Sequence, residues 1–93
     1  PARTALLEKA EQCFQKAVDL DNAYTPAYIN LAVSQIMLNV PSAAVGTIDV
    51  LARRTNGRLP GNAHLVRGIA LVKQQRAAEA ENDFNQAVRL NAF

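Results

Sequence analysis

Eleven residues near the start of this chain return near its end. Ala10-Glu-Gln-Cys-Phe14-Gln-Lys-Ala17-Val18-Asp-Leu20 aligns with Ala80-Glu-Asn-Asp-Phe84-Asn-Gln-Ala87-Val88-Arg-Leu90, with six of the eleven positions identical at a single offset of 70 residues. That offset is about twice the period of a two-helix repeat, which predicts a middle copy between them. Such a constraint is severe. A repeat unit has no private core and buries its apolar face on its neighbours, so function lies on the surface that the stack creates.

The rest of the composition suits such a stack. With 93 residues the chain has the length of one small domain, expected to span residues 1–93. A chain this short buries only about 60% of its unfolded surface. Hydrophobic residues make up 49%, yet there are only three Phe, two Tyr and no Trp. The core must therefore be Ala, Leu, Val and Ile, which favours closely packed helices. Four Gly and four Pro are too few for a loop-rich or β-rich small protein. The single Cys13 excludes an internal disulfide. No apolar run approaches the roughly 18 residues of a membrane helix, so no direct membrane insertion is expected. No signal-peptide pattern opens the chain, which starts at Pro1 without Met and reads as part of something longer.

Apolar positions Leu6, Leu7, Ala10, Cys13, Phe14, Ala17, Val18 and Leu20 recur at spacings of three and four, the stripe of an amphipathic helix over residues 4–21. After Asp21-Asn22-Ala23-Tyr24, Thr25 reads as an N-cap and Pro26 as the first helical residue. The helix from Pro26 to about Leu38 is apolar on most sides and expects neighbours on two faces. Asn39 suits a left-handed helix terminus. A third helix runs from Pro41 to Arg54, where Arg53 and Arg54 favour the negative end of the helix dipole. Thr55–Gly61 is the longest break. Asn62 then reads as the N-cap of a helix from about Ala63 to Gln74. Gln75-Arg76 is a short turn, and a fifth helix from Ala77 to about Asn91 mirrors the first.

This pattern resembles the tetratricopeptide repeat. In that family, helix A of each hairpin carries an aromatic, then Leu-Gly, then another large residue. Helix B carries Ala, an aromatic four residues on and Ala three beyond. The last pair supplies His64, Arg67-Gly68, Leu71, Ala80, Phe84 and Ala87; the middle pair supplies Tyr28, Leu31-Ala32, Gln35, Ala44, Ile48 and Leu51. The first helix, with Ala10, Phe14 and Ala17, is a helix B. The resemblance thus covers about two and a half repeats: helix B over 4–21, one repeat over 25–54 and another over 62–91. It implies an all-α fold, a right-handed α-α superhelix of about five helices. Ala32 and Gly68 are expected to let paired helices approach closely. The departures are Leu51 for a small residue, Gln35 and Arg67 for large apolar ones, and Asn22 and Ala92 for the usual Pro.

Catalytic chemistry finds no foothold. His64 sits at a packing position and reads as half-buried. Cys13, beside Phe14, reads as a small apolar filler. A zinc site needs about four suitably spaced ligands, and none are present. Glu79 and Asp83 lie one turn apart in an exposed pattern and read as a solvated face. No catalytic residue, metal or cofactor is expected, and the chain is not expected to be an enzyme.

Charge is uneven although the net value is only +2. Val50–Ala78 holds Arg53, Arg54, Arg58, Arg67, Lys73 and Arg76 without one acid. A solvated, dipole-matched surface accounts for this most simply, and an acidic partner segment is the alternative. Nucleic acid is disfavoured because no aromatic residues interleave with the cations.

The resemblance places the binding surface along helix A, on a concave groove. By position this gives Ile29, Val33, Ile36 and Met37 from the second helix, and Leu65, Ile69, Val72 and Lys73 from the fourth. Seven of these eight are apolar, the mark of an interaction surface. The expected function is a scaffold that binds a protein or peptide partner there. The alternative is self-assembly into a homo-oligomer, which would cover the same stripe. The carboxylate clamp of chaperone-binding relatives is not expected. Asn30 matches one of its positions, but Asn62 and Val66 stand where Lys and Arg are needed. Ala-rich helices, Arg in excess of Lys and the absence of Trp lean towards a bacterial source, in cytoplasm or periplasm. A place within an assembly or secretion protein is what the resemblance implies, since bacterial members of that family often serve there.

Overall fold

The computed structural model describes residues 2–90. Within them the chain forms α1 (Ala2–Leu20), α2 (Thr25–Met37), α3 (Pro41–Arg54), α4 (Gly61–Lys73) and α5 (Ala77–Arg89), and no strand. The all-α helical-hairpin fold expected from the periodicity is the fold found. Asn91, the expected end of the last helix, and Ala92, at the usual Pro position, lie outside the described residues.

The helices stack in chain order. α2 packs on α3 and α4 on α5 as two hairpins; α1 packs on α2, and α3 on α4. α2 also touches α4, so the first helices of successive hairpins adjoin. α3 and α5 do not pack on each other, and α4 lies between them.

Position by position, the two hairpins repeat at an offset of 36 residues: Tyr28 with His64, Ala32 with Gly68, Ala44 with Ala80, Ile48 with Phe84. One continuous core results from Tyr28, Ala32, Ala44, Ile48, Leu51, Leu59, Ala63, Val66, Ala70, Leu71 and Ala80. Ala at so many buried positions lets the helix axes approach. Where even Ala is too large the chain has glycine: a Cβ on Gly68 would meet Phe84 Cε1 at 2.5 Å. α3 forms despite its β-branched residues because Ala44, Val45, Ile48 and Leu51 are buried against neighbouring helices.

Three helix ends share one device. After α2, Asn39 N–H donates to the Ile36 carbonyl and Val40 N–H to Gln35, both at 2.9 Å. The same pair of bonds closes α3 through Asn56 and Gly57, and α4 through Gln75 and Arg76. Asn39, Asn56 and Gln75 take φ of 65°, 55° and 59°. This is the Schellman closure, which satisfies carbonyls the helix leaves open.

The helix starts differ from expectation. Thr25 is not the N-cap of α2; that position is Tyr24, and no side chain caps it. Asp21 organises the turn instead, its carboxylate accepting from Ala23 N–H and its carbonyl from Tyr24 N–H, both at 3.1 Å. Nor is Asn62 the N-cap of α4. Pro60 holds that place, and its carbonyl accepts from Ala63 and His64. Burial of Leu59 in the core pulls the chain inward there, so the helix begins before Asn62 is reached.

Cys13 is exposed, not a buried filler. Among the described helices α1 has a single neighbour, α2, and none of its residues is fully buried. A helix packed on one side leaves the rest of its apolar stripe open.

Candidate partner-binding site

The eight groove positions fall on α2 and α4, the two helices that adjoin across the hairpins. They pair at the repeat offset: Ile29 with Leu65, Val33 with Ile69, Ile36 with Val72, Met37 with Lys73. Exposure matches within three of the four pairs. Val33 is 37% exposed and Ile69 39%; Met37 is 49% exposed and Lys73 is likewise on the surface. Val72 is 50% exposed while Ile36, its counterpart, is half-buried. Ile29 and Leu65 are half-buried, and both Ile29 and Ile36 also pack against the core. These two therefore serve stability as well as any surface.

Between the first turns of α2 and α4 lies a shallow depression of about 310 Å³, lined by Thr25, Pro26, Ile29, Asn30, Pro60 and Asn62. Of the expected residues it takes in only Ile29. Val33, Met37, Ile69 and Val72 form open surface rather than a pocket. That arrangement can hold an apolar stripe of a partner, but it offers no group for covalent chemistry.

The opposite side of α4 carries a polar cluster whose members looked unrelated in sequence. Arg67 donates from Nε to Asp83 Oδ2 and from Nη2 to Asp83 Oδ1, both at 2.8 Å. Its Nη1 reaches Asp49 Oδ1 on α3 at 3.1 Å. His64 Nδ1 lies 2.8 Å from Asp83 Oδ1. A carboxylate has no proton to give, so Nδ1 carries the hydrogen and donates it. Asp83 is thus not part of a solvated face: only 3% of it is exposed. Nor is Arg67 a free surface cation.

Burial works to raise the Asp83 pKa, but the bonds from Arg67 and His64 outweigh it and hold the carboxyl below its ordinary value. The bond to Asp83 raises that of Arg67, against an opposing effect of burial. With both oxygens engaged, Asp83 is a fixed anion and not a general acid or base. Its signal was present in the sequence. Ala80, Asp83, Phe84 and Ala87 share one helical stripe, so an acid at 83 points inward, where an Arg at an apolar position of α4 can meet it. Glu79, by contrast, is exposed and pairs with Arg76 as a surface ion pair.

Gln35, the other polar departure, is also buried, and its Oε1 accepts from the Thr47 hydroxyl at 2.7 Å. No buried side-chain nitrogen or oxygen lacks a partner among the described residues. No helix among them is long and apolar enough to cross a membrane.

The model of the tetratricopeptide repeat family matches residues 3–24, which comprise most of α1 and the turn that follows. No curated protein matches the chain.

Proposed function

We infer that this chain, a tetratricopeptide-type repeat protein, is a non-catalytic scaffold that holds a partner protein on the apolar surface of α2 and α4. Repeats of this family generally mediate protein–protein interaction and are typically non-catalytic. One observation carries the finer reading: Val33 and Ile69, at matching positions of adjoining helices, are exposed to nearly the same degree. Met37 and Val72 extend the stripe. Regularly spaced apolar side chains on neighbouring helices fit an amphipathic helix or an extended apolar peptide. Ile29, Ile36 and Leu65 form the half-buried base, and Lys73 adds a positive end.

The test is the double substitution Val33→Glu and Ile69→Glu. The probe is a fluorescent amphipathic helix with leucines at i, i+3, i+4 and i+7. Binding to the parent and its loss in the variant are expected; equal binding by both would end the groove reading.

Self-assembly is the second reading, favoured by apolar exposure at both ends of the stack. Leu6 on α1 is 67% exposed, and Val88 and Leu90 near the end of α5 are open too. Light scattering over a concentration series separates the two: growing mass supports self-assembly, and a constant monomer mass counts against it. A bacterial source rests on composition, and a place within a larger assembly or secretion protein on the resemblance to the family.

A further inference from the structure

The basic span Val50–Ala78 divides in the folded chain. Arg67 is neutralised by Asp83 and Asp49, and Arg76 by Glu79. Arg58 enters no ion pair among the described residues. It stands on the α3–α4 loop and lines an open cleft of about 810 Å³. α5 supplies the other wall, with Asn82, Gln86 and Arg89; Leu59 and Pro60 contribute apolar surface, and no carboxylate among the described residues lines the cleft. Gln86 Oε1 accepts from Arg89 Nε at 3.1 Å and Nη2 at 2.6 Å. The guanidinium is thereby steadied against α5, with Nη1 uncommitted among the described residues.

What such a cleft recognises follows from its donors. Three backbone amides of the loop are engaged: Asn56 N–H on Arg53, Gly57 on Ala52 and Arg58 on Thr55. Those three successive amides are therefore not free to form a backbone nest for a phosphate. Among the described residues no Phe, Tyr or Trp lines the cleft to stack a nucleobase, and the one ring there, His64, is tied to Asp83 through Nδ1. What remains is two guanidinium groups and two side-chain amides, with the Thr25 hydroxyl and the His64 ring beside them. A guanidinium fork matches the two oxygens of a carboxylate, as Arg67 already shows on Asp83.

We propose that the cleft between the α3–α4 loop and α5 binds an acidic segment of a partner protein. Arg58 and Arg89 each take a carboxylate, and Asn82 and Gln86 bond the peptide backbone. An exposed ion pair is weak alone, so the ligand presents at least two acids, one to each arginine. The site lies apart from the exposed α2–α4 stripe and stands or falls independently of it.

The probe is a fluorescein-labelled oligo-glutamate peptide, followed by anisotropy at low salt. The double variant Arg58→Ser/Arg89→Ser is expected to weaken binding about fivefold or more. Lys16→Ser, a single charge removed from α1, is expected to leave it within about twofold. Both arginines are on the surface, and circular dichroism checks that the variant folds. Equal weakening by Lys16→Ser would overturn the proposal, since net charge alone would then explain binding. Displacement of the peptide by oligo-thymidine or inorganic phosphate at lower concentrations than free glutamate oligomer would overturn it too.

Discussion

The ring of Phe84 occupies the space that a side chain on Gly68 would need. An added Cβ would stand 2.5 Å from Cε1 and 2.8 Å from Cδ1. The equivalent pair in the preceding hairpin is Ala32 and Ile48, both fully buried. A larger residue on the second helix of the hairpin is matched by a smaller one on the first.

Gly68→Ala should therefore destabilise the protein although Ala is the better helix former. Overpacking costs about 1–3 kcal/mol, against a helix-propensity gain of about 1 kcal/mol. Gly68→Ala with Phe84→Ile recreates the Ala32–Ile48 pair and should recover most of the loss. Urea unfolding of the four proteins measures the coupling. Strict additivity of the two changes would show that the contact does not limit the hairpin.

The Arg67–Asp83 pair invites a second cycle. Arg67→Leu restores the apolar residue usual at that position but leaves Asp83 buried with only His64. A loss of roughly 3 kcal/mol is expected, because an uncompensated buried charge remains. Asp83→Leu added to it should return stability to within about 1 kcal/mol of the parent or above it. The measurement is chemical denaturation at neutral pH, and a double variant weaker than either single one would contradict the account.

The same pair sets an acid limit. The folded-state pKa of Asp83 lies below its unfolded value, so its contribution to stability is present above the unfolded pKa of about 3.9 and lost as pH falls through the folded one. Melting temperature should drop more steeply below about pH 4 in the parent than in the Arg67→Leu/Asp83→Leu variant. Arg67, raised from an already high value, contributes nothing to this window.

Helix positions were legible because amphipathic stripes survive in a single sequence; the range read for α3, Pro41–Arg54, is the range observed. Helix starts were less so. Thr25 and Asn62 have the chemistry of caps, but Asp21 and the burial of Leu59 settle those turns through contacts that local sequence does not show. Asp83 was misjudged because polarity was taken for exposure. Its partner Arg67 is 16 residues away on another helix, and only the fold brings them together. Cys13 belongs to a good apolar stripe, but a stripe says which face is apolar, not how much of it a neighbour covers. Of the apolar positions read on α2 and α4, Val33, Met37, Ile69 and Val72 are exposed while Ile29, Ile36 and Leu65 are half-buried, because the repeat sets position but not how much a neighbour covers.

Of the three residues that close helices with positive φ, Gln75 is the least suited. Asn tolerates that region, whereas Gln lacks the short side chain that bonds locally, and a residue with a Cβ is strained there by about 1–2 kcal/mol. Gln75 is exposed at φ 59° and makes no side-chain hydrogen bond among those described. Gln75→Gly should stabilise the protein by about 0.5–1 kcal/mol, part of the strain relief being offset by the freedom glycine adds to the unfolded chain. Thermal melts should show a rise of a few degrees. The same change at Asn39 should do less.

Stability should also be graded along the stack. α4 and α5 share the most extensive packing and the Arg67–Asp83 cluster, whereas α1 rests on α2 alone and buries no residue fully. In a repeat array each unit is stabilised mainly by its nearest neighbours, so the helix with one neighbour opens first. Backbone amides of α1 should exchange with deuterium well before those of α4, and Cys13 should react with a maleimide under native conditions at the rate of an unhindered thiol. Addition of denaturant should accelerate exchange in α4 strongly and in α1 little, because α1 opens by local fraying that exposes little new surface. Uniform protection across all five helices would mean that the chain unfolds as one cooperative block and that the single α1–α2 contact suffices to bind the first helix into it.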